Sequence, residues 1–463
     1  MRFARLNIFR HNKVRIDEID NEKRDKNLVL QLKSSVVFKF LSVGISLLLV
    51  PLLIGRLGTE QYGVWATLLS TAQWITLMDI GIGSGLRNKL TEALAKGDLT
   101  EANEYVSTAY ITLLLIGAVL AALFVPFFFL VNWNSVFNTH SISSLDLSGC
   151  VFVFFYGILS YLILAIINQI INAVQRNSLT TMIPIIINVL FITSVYIYSL
   201  FHPLNLLFVT CAYTASQLIA IAIVSSLFFR EYDYLKPLRK NFKKDKIRSI
   251  MGLGLKFFII QITVVIIFST DNFVITQLLG PSHVTTYGVV LLVFNNMAVF
   301  VNMLMAPLWS SYTEAYAKGD LGWIKGKIVF LNKLMIPYII GVGVVVLLFN
   351  TIVNVWLGKA VVIPDYLPAL MGVYAVISVW NNIYGFMLGG ISKVRLGMIT
   401  TVFIGCVNIP LSIFFARNLN LGLNGIILSN ILCLSLSSVI SPIQAYYFIF
   451  STRKSDRWER ILS

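Results

Sequence analysis

The chain has 463 residues, 57% of them hydrophobic and only 12% charged, with a net charge of +15. A water-soluble domain carries about a quarter charged residues, so this composition excludes a soluble enzyme or binding module and calls for a polytopic membrane protein. The positive excess would suit nucleic acid in a soluble protein, but its placement along the chain makes it topogenic and lipid-facing instead, and no nucleic-acid partner is expected.

Residues 1–33 are polar and mixed in charge. They lack the apolar core of a signal peptide and are expected to stay as a cytoplasmic tail. Phe3, Leu6, Ile8 and Phe9, set among Arg2, Arg5 and Arg10, fit either a segment lying on a membrane surface or a flexible tail. Twelve apolar stretches of spanning length follow, over about 35–56, 62–86, 105–131, 149–172, 180–201, 205–229, 253–279, 285–309, 329–356, 364–387, 395–416 and 421–450. With these spans, 30 of the 36 lysines and arginines fall on one side and three (Arg56, Lys359 and Arg417) on the other. Lys39, Lys256 and Lys333 lie inside spans. The excess of basic residues in cytoplasmic loops then puts both termini in the cytoplasm of a bacterial cell, with the chain in its inner membrane. The external loops are short, the longest about 132–148, and hold no soluble domain.

A nine-residue string occurs twice. Thr91-Glu-Ala-Leu-Ala-Lys-Gly-Asp-Leu99 returns as Thr313-Glu-Ala-Tyr-Ala-Lys-Gly-Asp-Leu321, identical at eight positions and offset by 222 residues. Leu57-Gly58 before Tyr62-Gly63-Val64 likewise matches Leu279-Gly280 before Tyr287-Gly288-Val289. An even number of spans separates the copies, so the two halves share one orientation and are expected to be related by a pseudo-two-fold axis along the membrane normal. The domain reading is a six-span N-lobe (34–229), a basic cytoplasmic linker (230–252), a six-span C-lobe (253–450) and a cytoplasmic C-terminal tail (451–463). Gly97 and Gly319 are expected to stop a helix in the loops after spans 2 and 8.

No catalytic constellation is visible. The four cysteines sit in apolar stretches without CxxC spacing, the four histidines are scattered, and neither a metal site nor a cofactor is expected. Gly81, Gly83 and Gly85 resemble a fragment of a phosphate loop, but no strand precedes them and no GK[ST] follows, so close helix packing or a bend explains them better. The ionisable residues inside spans carry the most information, because a charge at membrane depth costs roughly 2.5–3.5 kcal/mol on insertion scales. Lys39, Lys256 and Lys333 either face a cavity or reach back to lipid headgroups. Asp79 and Asp271 are too short to do so. Each is either a cavity or coupling carboxylate, or a structural group in an ion pair or helix cap. Asn168, Asn172 and Gln175 share a helix face, and Asn295 lies in span 8; such amides either line a sugar path or bond between helices.

The stretches Leu57-Gly-Thr-Glu-Gln-Tyr-Gly-Val-Trp65, Asp79-Ile-Gly-Ile-Gly83, Arg87-Asn-Lys89 and Ala95-Lys-Gly-Asp98 resemble the N-terminal region of bacterial polysaccharide flippases. These are the O-antigen (Wzx-type) and capsule translocases of the multidrug/oligosaccharidyl-lipid/polysaccharide exporter superfamily. Asp271-Asn272, Leu279-Gly280 and Tyr287-Gly288 resemble that family's second-lobe opening. The resemblance implies an all-α, MATE-like pair of six-helix lobes around a central cavity, working by alternating access. It implies a cargo of undecaprenyl-pyrophosphate-linked oligosaccharide, moved from the cytoplasmic to the periplasmic leaflet, with the lipid tail in or between apolar lobe faces. Partners would be membrane lipids and other polysaccharide assembly proteins. Lys39, Arg87 and Lys256 would meet the pyrophosphate, and the amides the sugars. A cation-coupled multidrug exporter of the same superfamily is the alternative. A glycan polymerase or ligase would need a large external loop with catalytic basic residues, which is absent, so no enzyme activity is expected.

Overall fold

The computed structural model describes residues 21–450 apart from 77–78, 80, 175, 252–269, 306–307, 318, 359–360 and 392, and each described element is a helix. Helix α1 (Asn21–Thr76) is two arms meeting at Gly58, whose φ of 79° and ψ of 168° break the helix. Helices α2 (Ile82–Ala95), α3 (Leu99–Leu130), α4 (Trp133–Val136), α5 (Ser144–Leu164), α6 (Ile167–Ala173), α7 (Asn177–Phe201) and α8 (Leu206–Glu231) complete the first half. The second half holds α9 (Asp271–Leu279), α10 (Pro281–Met305), α11 (Leu308–Ala317), α12 (Leu321–Leu357), α13 (Leu367–Gly390), α14 (Arg395–Ile413) and α15 (Gly422–Ala445).

Among the described residues nine helices are long and apolar enough to cross a membrane, at the places expected for spans 3–6 and 8–12. Spans 1 and 2 fall on α1 and α2. Span 7 lies mostly outside the described residues. Span 2 is interrupted near its end, where the glycines suggest a bend. Helix α1 stops at Thr76 and α2 starts at Ile82, with Asp79 and Gly81 in the turn between them. Hydropathy does not register this break, because Ile80 and Ile82 keep the stretch apolar.

The repeated string folds the same way twice. Gly97 and Gly319 have φ of 76° and 73°. Gly97 N–H donates to Leu94 O and Asp98 N–H to Ala93 O; Gly319 and Asp320 make the corresponding bonds to Tyr316 O and Ala315 O. A left-handed residue closing the last turn of a helix does this, and glycine adopts it without steric cost. The aspartate that follows each glycine then caps the next helix. Asp98 Oδ1 accepts from Glu101 N–H at 2.8 Å and Asp320 Oδ1 from Trp323 N–H at 2.9 Å. Gly280 (φ 94°, ψ 160°) matches Gly58 in the same offset.

Apolar side chains gather in separate clusters. Two belong wholly to residues before 252, one around Trp65, which packs against Phe154, Phe191 and Tyr213. The largest belongs to the second half and borrows Val50 and Ile54 from α1. The basic segment after α8 is fastened along α3. Asn103 Nδ2 donates to Tyr234 O and Lys236 O, Leu238 N–H to Ser107 Oγ, and Lys243 N–H to Thr108 Oγ1. Lys246 reaches Glu101 at 2.9 Å and lies 4.0 Å from the Tyr105 ring centre.

Candidate functional site

The two halves join at the face opposite the basic loops. Thr67 and Thr276 hydroxyls bond at 2.7 Å, and Thr285 Oγ1 donates to Thr59 O at 2.6 Å. Asn138 Nδ2 donates to Thr276 O and Gln277 O, while Gln277 Nε2 donates to Ser135 O and Val136 O. Between these bonds the backbones nearly touch: a Cβ on Gly63 would lie 1.7 Å from Pro281 O. Small and hydroxylated residues are what membrane helices use for such close contacts. The junction is therefore held by short polar bonds and backbone packing beside the apolar contacts of α1 with the second half, with no ion pair across it among the described residues.

Nearer the basic face, Asp79 occupies the break between α1 and α2. Its Oδ1 accepts from Gly81 N–H at 2.8 Å and its Oδ2 from Gly83 N–H at 3.2 Å, so the carboxylate caps α2. Gly81 has a φ of 75°. Gly83 leaves room for the Asp79 carboxylate and Gln169 of α6, which a Cβ would meet at 3.0 and 3.1 Å. A Cβ on Gly85 would lie 2.1 Å from Ile250 O, so α2 also packs directly on the end of the basic segment. The three glycines thus serve a turn and two close contacts, and no phosphate loop is formed. One turn on from Gly83, Arg87 is exposed on α2.

Asp271 opens α9 inside the second half and is 9% exposed. Its Oδ2 accepts from Tyr287 OH of α10 and from Asn430 Nδ2 of α15, both at 2.6 Å. Asn408 Nδ2 of α14 donates to Asn430 Oδ1 at 2.6 Å. Tyr287, Asn430 and Asn408 are 1%, 4% and 1% exposed. A buried carboxylate held by one hydroxyl and one amide, with no cation paired to it among the described residues, is a group that can exchange a proton or a small cation for those bonds. Its shell spans four helices, so a change of charge there acts on the packing of all four.

Of the residues singled out from sequence, the structure brings Asp79 beside α6, which carries Asn168 and Asn172 half-buried and one turn apart. Asn168 Oδ1 is buried without a hydrogen-bond partner among the described residues. Asn295 is exposed on α10, two turns beyond Tyr287 and apart from the Asp271 shell. Lys256 and Gln175 lie outside the described residues, and so does the side chain of Lys39, whose backbone belongs to α1. Asn408 and Asn430 are not among the residues singled out from sequence, although both are amides in apolar spans, the signal that marks those of spans 4 and 8. Tyr287 was noticed only as part of the repeat. The junction threonines gave no signal, since a hydroxyl scarcely changes hydropathy.

The family described as polysaccharide biosynthesis protein matches residues 32–312, well over half of the chain. The chain belongs to that family. Two curated Salmonella relatives of this polysaccharide biosynthesis protein share the name "Putative O-antigen transporter". The one from Salmonella typhi is 25% identical, over 91% of this chain and 96% of its own; the one from Salmonella typhimurium is 22% identical over 87% and 93%. The chain is also 22% identical, over 86% of its length and 79% of the relative's, to an uncharacterised membrane protein, EpsK, of Bacillus subtilis. Among solved structures it is similar to a multidrug resistance MATE family transporter of the MOP superfamily. The TM-score is 0.71 with the inward-facing conformation, at 14% identity and covering 90% of this chain and 96% of that one. With the outward-facing conformation it is 0.62, at 16% identity and the same coverage. A MOP superfamily transporter from Pyrococcus furiosus scores 0.61 at 16% identity, covering 92% and 97%. The chain thus has the fold of these MATE transporters and is a multi-pass membrane protein.

Proposed function

We propose that this protein is a flippase for undecaprenyl-pyrophosphate-linked oligosaccharide units, carrying them from the cytoplasmic to the periplasmic leaflet for O-antigen or capsular polysaccharide. The observation that carries the reading is the junction of the halves at the face opposite the basic loops. Two halves closed at one face by reversible polar bonds, in a family of polysaccharide biosynthesis proteins, suit alternating access between two six-helix lobes. With basic loops in the cytoplasm of a bacterium, the joined face is periplasmic, both termini are cytoplasmic, and this conformation receives cargo from the cytoplasmic side.

Roles follow from chemistry. Arg87, with Lys39 and Lys256, meets the pyrophosphate, since planar and point cations both bind phosphate oxygens. Asn168, Asn172, Gln175 and Asn295 offer donors and acceptors to sugar hydroxyls. Asp271 is the coupling carboxylate, and Asp79 holds α2 so that Arg87 is presented at the entrance. Asp271's shell also gives the second reading, a cation-coupled small-molecule exporter, its footing.

The test is deletion of the gene in its host, with analysis of lipid-linked glycans and of drug retention. The flippase reading expects lipid-linked oligosaccharide to accumulate on the cytoplasmic leaflet, surface glycan to be lost, and both to be restored by the wild-type gene. Unchanged surface glycan together with increased drug retention favours the exporter.

A further inference from the structure

In two helices a proline vacates a backbone carbonyl, and a tryptophan from another helix takes it. Proline has no N–H, so the carbonyl four residues before it loses its donor within the helix, and the ring clashes with that carbonyl. In hydrocarbon a neighbouring helix can supply the missing donor. Pro51 of α1 vacates the Leu47 carbonyl, and Trp356 Nε1–H of α12 donates to it at 2.7 Å. Pro442 of α15 vacates the Ser438 carbonyl, and Trp380 Nε1–H of α13 donates to it at 3.1 Å. An indole suits the place, because it brings one donor and no acceptor on a large apolar body.

The two bonds differ in what they join. Helices α13 and α15 both pack in the second half's apolar cluster, so the Trp380 bond is internal to that half. The Trp356 bond crosses between the halves. Helix α12 lies in the second half's cluster through Leu331, Met335 and Phe349, whereas α1 runs on past Gly58 into the first half's cluster at Trp65. Leu47, Val50 and Ile54 fall on one face of α1, spaced i, i+3 and i+7, and Val50 and Ile54 are the residues lent to the second half. Leu49 and Leu53, on the opposite face, pack in the first half. Parting the halves uncovers the face that holds Leu47 and takes the indole from its carbonyl. Pro51 then has no N–H to offer in its place.

We propose that Trp356 is a positioning residue for transport: its bond to the carbonyl vacated by Pro51 favours the joined arrangement of the halves and breaks each time they part. This rests on the alternating access of the reading above. The Trp380 bond, of the same chemistry, stays whole throughout and serves stability alone.

The test uses full-length protein in phospholipid vesicles, with the four native cysteines replaced and one cysteine placed at Thr276, which is buried at the junction. A membrane-impermeant thiol reagent reads how often the halves part. Trp356→Phe, which keeps an aromatic ring and loses the donor, is expected to raise the labelling rate about threefold, the weight of one average hydrogen bond between membrane helices. Trp356→Met, a flexible filler, is expected to do the same. Pro51→Ala returns an N–H to the Leu47 carbonyl from its own helix, so adding Trp356→Phe to Pro51→Ala is expected to change the rate little. Trp380→Phe is expected to lower the melting temperature and leave the rate as it was. An unchanged rate in Trp356→Phe, a threefold rise that persists in the Pro51→Ala background, or an equal rise in Trp380→Phe overturns the proposal. Glycan export in the host separates the two claims. Export that depends on the gene, with rates indifferent to Trp356, removes the positioning role alone; the expected rates without a requirement for export remove the flippase reading alone.

Discussion

Replacing Gly63 by alanine should force the joined face open. The added Cβ would stand 1.7 Å from Pro281 O and 2.4 Å from Pro281 C, both backbone atoms that cannot swing aside. To reach even the 3.0 Å floor for such contacts, the two backbones must part by at least about 1.3 Å. That separation stretches the Thr67–Thr276 and Thr285–Thr59 bonds, now 2.7 and 2.6 Å, beyond hydrogen-bond distance. Overpacking costs about 1–3 kcal/mol, and each membrane hydrogen bond adds roughly 0.6 kcal/mol. The joined arrangement should lose about 2–4 kcal/mol, a shift of roughly 30- to 700-fold towards the parted one. The assay is modification of a cysteine at Thr276, which is fully buried at the junction, by a membrane-impermeant thiol reagent. The background replaces Cys150, Cys211, Cys406 and Cys433. Gly63→Ala should raise the labelling rate by at least about 30-fold and impair transport. An unchanged or slower rate would refute the reasoning, because alanine otherwise favours a helix by roughly 0.5–1 kcal/mol and would only strengthen α1.

Asp271→Ala should lower the melting temperature, because it leaves the Tyr287 hydroxyl and the Asn430 amide buried without their acceptor, about 1–3 kcal/mol each. Asp271→Asn keeps the volume and should give a folded protein that no longer exports glycan; wild-type export by that variant removes the coupling role. Asp79→Ala should cost about 1 kcal/mol as a lost helix cap, whereas Asp79→Asn, whose single oxygen keeps the shorter bond from Gly81 and loses the one from Gly83, should lose only part of that and retain export. Melting curves and complementation check both, and loss of export in Asp79→Asn at a stability above that of Asp79→Ala would make Asp79 a coupling group instead. Arg87→Ala should abolish export at an unchanged level of membrane protein, with partial recovery in Arg87→Lys, which restores charge without the planar fork.

Much of the architecture was legible because membranes constrain sequence strongly. Apolar length located the spans, and the glycines of the repeated string announced two helix stops. The structure gives Gly97 and Gly319 that job, and adds one that the sequence reading did not name, the capping of the next helix by Asp98 and Asp320. What escaped was whatever hydropathy ignores. The break before α2 hides in an apolar run, and only the Asp79-Ile-Gly81 turn chemistry betrays it. The bond between Thr67 and Thr276 joins residues 209 apart in the chain, and nothing local to either residue points to the other. Asp271 stood out as a buried charge, but the tyrosine and asparagine that satisfy it come from two other helices and are visible only once those helices are packed. Lys39 and Lys256 remain readings from sequence.

The most direct test of the flippase account is transport by the purified protein. In vesicles carrying a fluorescent polyprenyl-pyrophosphate oligosaccharide, a membrane-impermeant quencher reports the fraction of label in the outer leaflet. The account predicts that wild-type protein exposes inner-leaflet label to the quencher. A disulfide between cysteines placed at Thr67 and Thr276 should stop this, and reduction should restore it. Translocation that proceeds equally with the junction locked, or no translocation by protein that restores glycan export in cells, would contradict it.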